Sequence, residues 1–206
     1  MHLAKGISIW NFNCILLLTF ANNHCYKIEG TFSTLLLQDK TYYNVDVDNL
    51  ANTMATYKTI VYSTFIIFSF FGRFIYDTWS YRTLIPISAF TASLCVFLIP
   101  WGHSVYPGLL IIQFILTLSL FLENLNPMMV DYVQNKSKGL ASSYNKIMST
   151  LPKILYAFCY VYILDWTDNL LVPIYIIACI NTWVFIYLLI YVKNVKKQRT
   201  PLSAPR

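Results

Sequence analysis

Leu170–Val192 reads LLVPIYIIACINTWVFIYLLIYV, without one charged side chain, and KNVKKQR, Lys193–Arg199, follows at once. A hydrocarbon core about 30 Å thick takes about 20 apolar residues to cross as a helix. This stretch therefore spans a bilayer, and the basic run stops it at the surface. Working back along the chain, similar apolar runs cover about Leu140–Leu164, Gly108–Val130, Thr83–Trp101 and Lys58–Tyr76. The first span starts near Ile7 with ISIWNFNCILLLTFANNHCYKI, whose second half is unusually polar, and its outer end extends toward Leu37. Only helices and closed barrels satisfy their backbone groups in lipid, and these runs are too long and too steadily apolar for barrel strands. The expectation is an all-α, polytopic fold: a six-helix membrane domain over residues 1–192 and a basic tail over 193–206.

Composition agrees. The chain of 206 residues is 57% hydrophobic, above the roughly 45–50% of soluble domains. Its formal charge of +6 could suggest nucleic acid, but the basic residues stand at the ends of apolar segments rather than along one amphipathic face. No nucleic-acid partner is expected; the lipid bilayer is. Cys14, Cys25, Cys95, Cys159 and Cys179 show neither metal-ligand spacing nor a disulfide framework, and His2, His24 and His103 are isolated. No cofactor, no metal and no enzymatic activity are expected: the chain has no nucleophile elbow and no phosphate loop.

Topology follows from the charges. Lys5, Arg73, Arg82, Lys136, Lys138, Lys193, Lys196, Lys197, Arg199 and Arg206 fall on the face shared by the termini and the second and fourth loops. The opposite loops carry Asp39, Asp46, Asp48, Asp165 and Asp168, with little basic charge beyond Lys40. The positive-inside rule then places both termini in the cytoplasm, in a plasma membrane or a lysosomal or endosomal one. The Asn135 sequon, NKS, would be cytoplasmic and unmodified.

The loop GRFIYDTWSYR, Gly72–Arg82, resembles the signature loop of the major facilitator superfamily, with Asp77 at the family's acidic position and Arg82 at one of its final basic positions. Arg73 stands at the spacing of the family's glycine, Thr78 where an Arg is usual, and Ser80 and Tyr81 replace the next Gly and Arg. Pro127, Asp131, Lys138, Gly139 and Ala141 recur in the order the family shows between its fourth and fifth helices. The arginine often found in its fourth helix has no equivalent; Gln113 is nearest. The resemblance implies a secondary transporter whose twelve spans form two halves, each a three-plus-three inverted repeat. This chain resembles the N-terminal half, so the implied partners are a second six-helix half or another copy, and a small polar solute. The alternative is a non-transporting structural or assembly subunit.

Ionisable groups within a membrane are costly and mark candidate sites. At 1.5 Å per residue, Glu123 and Lys146 lie at similar depths, about 10–12 Å from the cytoplasmic side. An ion pair between the fourth and fifth helices is therefore geometrically reasonable, serving either gating or proton coupling or the structural neutralisation of a buried carboxylate. Lys153 lies nearer the midplane and reaches part-way by its length. With Asp77 and Arg82 these are the transport candidates. Asn22, Asn23, His24 and Lys27, toward the outer part of the first span, are the substrate-binding candidates. Asn124 and Asn126 join Glu123 in a polar patch beside Pro127. Tyr57, Tyr62, Trp79, Tyr81, Trp101, Tyr106 and Trp166 read as an aromatic belt.

Overall fold

A computed structural model describes residues 1–27, 32–102, 104–124 and 128–194, the side chains of Arg73 and Asp77 excepted. The described residues form ten α-helices: α1 (Ile9–Lys27), α2 (Ser33–Gln38), α3 (Val47–Ser69), α4 (Gly72–Thr78), α5 (Tyr81–Leu98), α6 (Leu110–Asn124), α7 (Met128–Tyr132), α8 (Lys138–Leu155), α9 (Val161–Thr167) and α10 (Leu171–Tyr191). One isolated antiparallel bridge joins Leu3 to Val133. The fold is all-α, as the apolar runs require.

Four segments are long and apolar enough to cross a membrane: Tyr81–Trp101, Val105–Tyr132, Asn135–Thr167 and Leu171–Tyr191. They match the third to sixth expected spans. The first two expected spans fall short on apolarity. In α1 the asparagines and His24 dilute the hydrophobic run, and α3 opens with the polar turn VDNLANT.

The second expected span, Lys58–Tyr76, is corrected at both ends. The helix begins at Val47, with Asp46 just before it and Asp48 in its first turn, where the positive end of the helix dipole favours carboxylates. Its hydroxyls are absorbed locally: Thr53, Thr56 and Thr59 each donate to the carbonyl four residues back, at 3.0, 3.0 and 2.8 Å. Helix α3 ends at Ser69, and after a turn at Phe70–Phe71 the chain continues as α4. The fifth span also differs from one straight helix. Pro152 has no N–H to give, and one turn beyond it the helix widens into a π-turn, Tyr156–Tyr160, before continuing as α9. Such insertions are where long helices bend.

Connections at the expected outer end are tight. In the loop before α3, the N–H groups of Tyr42, Tyr43 and Asn44 all reach the Asp39 carbonyl, at 3.2, 3.2 and 3.0 Å. The Tyr43 hydroxyl donates to the Ile99 carbonyl. Gly108 sits directly against the Gly102 carbonyl, an approach that leaves no room for a Cβ. Helix α9 ends on Asp168 in the left-handed conformation (φ 47°), its N–H bonded to Leu164 O at 2.8 Å. The Asn169 side chain then caps Leu171 N at 2.9 Å to start α10.

At the opposite end four segments are clasped together. Ala4 N donates to Tyr132 O (2.9 Å) and Gln134 N to His2 O (3.1 Å). Lys193 Nζ donates to Gly6 O (2.9 Å), Asn194 Nδ2 to Ser80 Oγ (2.6 Å), and Arg82 N to Asn194 Oδ1 (3.1 Å). Residues 2–6, 80–82, 132–137 and 193–194 thus share one end, the grouping that the charge count expects.

Helix α1 is central and touches α5, α6, α8 and α10; α5 packs between α6 and α10, and α3 lies on α6. The interior is two apolar clusters stacked along the bundle. One holds Phe32, Leu37, Tyr57, Val96, Leu116 and Ile177; the other holds Phe12, Leu18, Ile85, Met128, Tyr132 and Leu188. Large apolar side chains on α3, α5 and α10 point outward, among them Ile66, Ile67, Phe90, Phe97, Trp183 and Ile190, a surface that suits lipid.

Candidate functional site

Where the two clusters meet, three helices contribute polar groups to the same level. Glu123, on α6, is 3% exposed, and Asn22, on α1, is 3% exposed. Asn22 Nδ2 donates to Leu120 O at 3.2 Å and to Glu123 Oε2 at 3.4 Å. A backbone carbonyl accepts only, so the amide nitrogen must face α6. On α10, Asn181 is 2% exposed and its Nδ2 donates to Cys25 Sγ at 3.0 Å. Each amide thereby directs its nitrogen at a named acceptor, and the oxygens Asn22 Oδ1 and Asn181 Oδ1 are buried with no protein partner. Asn181 and Glu123 line a small void of about 10 Å³, together with Cys25, Ala21, Ala89 and Ala92. The alanines of α5 leave the space.

Two further buried polar groups, Gln113 and His24, lie on the same helices. The Tyr57 hydroxyl donates to Gln113 Oε1, and Gln113 Nε2 to Thr117 Oγ1 at 3.1 Å. Gln113 thus ties α6 to α3. His24 Nδ1 faces the Phe20 carbonyl at 3.0 Å, which puts the ring proton on Nδ1; Nε2 is buried without a partner between Phe20 and Tyr160.

The expected ion pair of Glu123 with Lys146 is not formed. Glu123 is turned into the core toward α1, whereas Lys146 is exposed on α8, which packs on α1. Equal depth places two residues at one height without placing them on facing sides. Lys153 is also exposed. The four outer candidates on α1 diverge instead of converging. Asn22 joins Glu123, and Asn23 Nδ2 folds back to Thr19 O at 2.8 Å. His24 points into an aromatic pocket, and Lys27 Nζ sits 5.8 Å over the Tyr156 ring. Arg82 is exposed at the clasped end; the Asp77 side chain, Asn126, Pro127, His103 and the basic run from Lys196 onward lie outside the described residues. Asn124 Nδ2 leaves the Glu123 patch for the Tyr26 hydroxyl at 2.8 Å. Asp131 accepts a hydrogen bond from Tyr81 at 2.5 Å, tying the start of α5 to α7. Asn181 was available to sequence reasoning as a lone amide within the charge-free run that opens with Leu170.

On α8 the polar residues align. Ser142, Ser143, Lys146 and Lys153 are exposed, with Ser149 and Thr150 half-buried beside them, all within one helical face at spacings of three, four and seven. Among the described residues no side chain pairs with either lysine. The α8 segment is also the least covered: 11% of its most apolar window is buried, against 61% for the α5 segment.

No known family model matches the chain, and no curated protein matches it. The structure itself defines the class: an all-α, membrane-embedded protein with several long apolar helices.

Proposed function

We propose that this bundle is one half of a facilitator-type secondary transporter, with its clasped end in the cytoplasm, acting in transport rather than catalysis. It moves a small polar solute by alternating access once paired with a second six-helix half or a second copy. The observation that carries the reading is the exposed polar face of α8. Two lysines and a row of hydroxyls on a membrane-crossing helix are costly against lipid; they suit a water-filled cavity or another protein surface.

Helix packing supports the same architecture. Exchanging α1 with α6, α3 with α8 and α5 with α10 maps each principal contact onto itself or onto another principal contact. The α5–α10 and α1–α6 contacts map onto themselves, α5–α6 onto α10–α1, and α3–α6 onto α8–α1. A three-plus-three repeat has this property.

A second reading, a non-transporting assembly subunit, is favoured by the packing of Glu123 in an interior with room for about one water. The test places single cysteines at Lys146 and Lys153 in a chain lacking the exposed Cys159 and Cys179, with labelling by a membrane-impermeant maleimide in native vesicles. Labelling at both positions is expected for a cavity-facing α8. Protection of both, with crosslinking to a neighbouring protein unrelated to this chain, would refute the transporter and select the assembly subunit.

A further inference from the structure

The void between α1, α5, α6 and α10 is bordered by Glu123, Asn181 and Cys25 among three alanines. Glu123 supplies a carboxylate, and Asn181 lines the void with its Nδ2 engaged by Cys25, leaving Oδ1 without a protein partner. Asn22, hydrogen-bonded to Glu123, brings a second unpartnered amide oxygen to the same layer. Amide oxygens buried at 2–3% exposure without a partner are expensive, and natural interiors normally satisfy them. A void of about 10 Å³ holds one water-sized particle at most. Oxygen donors of this kind suit hard cations, Cys25 being engaged by the Asn181 amide, and one carboxylate supplies at most one negative charge. A calcium ion would want six to eight oxygens, more than this layer offers.

We propose that this layer binds one small monovalent cation of the sodium or lithium class, held by Glu123, Asn181 Oδ1 and Asn22 Oδ1. The site does not depend on transport. An occupied site locks α1, α6 and α10 to one another, so binding reads out as stability of the bundle.

The experiment is thermal unfolding of the purified full chain in detergent at constant ionic strength and pH, with choline chloride replaced stepwise by sodium, lithium or potassium chloride. Sodium or lithium should raise Tm saturably, by about 5 °C at a hundredfold excess over Kd. Asn181→Ala should raise the half-saturating concentration at least about tenfold, and Glu123→Gln should abolish the response. If Glu123→Gln fails to fold, Asn181→Ala still decides the matter through its half-saturation. Equal Tm values in all four salts would overturn the proposal. So would a Tm that responds to pH alone, which would assign the void to a water beside a protonated carboxyl.

Discussion

Removing the amide of Asn22 tests whether the polar layer holds the bundle together. Asn22→Ala deletes one donor to the Leu120 carbonyl and one to Glu123. A neutral hydrogen bond contributes about 1 kcal/mol net, and one to a charged group about 1.5–3 kcal/mol. The 3.4 Å separation from Glu123 is long, so the lower figure of about 1.5 kcal/mol applies to that bond. Truncation also removes the unpartnered Oδ1, which returns about 1 kcal/mol. The net loss is therefore about 1.5–2 kcal/mol, or a Tm lower by roughly 3–8 °C for a chain of this size. Differential scanning fluorimetry of Asn22→Ala, Glu123→Gln and the double variant gives the measurement as a cycle. The coupling between the two sites should reach about 1 kcal/mol. Two single effects that add to within about 0.3 kcal/mol would refute a shared layer.

Three further outcomes follow from the same structure. Gly108→Ala should destabilise by about 1–3 kcal/mol, since the new methyl meets the Gly102 carbonyl, a backbone atom with little freedom to retreat; a Tm equal to the parent's would contradict that approach. Tyr81→Phe removes the donor to Asp131 and should cost about 1.5 kcal/mol, with faster exchange of amides at the clasped end by hydrogen–deuterium mass spectrometry; unchanged exchange there would remove the latch. Burial pushes the Tyr43 hydroxyl up to about 12, above the value near 10 of an unfolded tyrosine. The folded state therefore favours the protonated hydroxyl. This contribution is complete below about pH 10 and is lost as pH rises toward about 12. Tyr43→Phe should flatten that part of the stability–pH curve, and an alkaline limb identical to the parent's would rule it out.

The long charge-free runs of α5, α6 and α10 were legible because lipid imposes one solution on them: a helix of spanning length. The grouping of residues 2–6, 80–82, 132–137 and 193–194 at one end was legible from charge for the same reason. The start of α3 was not, because its polar first turns are stabilised by hydroxyls bonding back to their own helix, a local device that hydropathy does not register. The Glu123 site was half legible. Its cost in a membrane marked it, but its neighbours depend on helix rotation, and depth along an axis carries no information about azimuth. Asn22 and Asn181 reach their partners across 98 to 156 positions of sequence, so only the assembled bundle reveals which of several intramembrane amides meet.

Those separations also order the birth of the protein. Asn22 leaves the ribosome 98 residues ahead of Leu120 and 101 ahead of Glu123, and Asn11 precedes its acceptor at Tyr191 by 180. At about 5–20 residues per second of synthesis, Asn22 waits roughly 5 to 20 s for Leu120 and Glu123, and Asn11 about twice that for Tyr191. Through that interval the Asn22 and Asn11 amide nitrogens have only lipid, water or the insertion machinery in place of their final acceptors. Helix α1 is thus a client before it is a core, and a slowed ribosome prolongs its exposure.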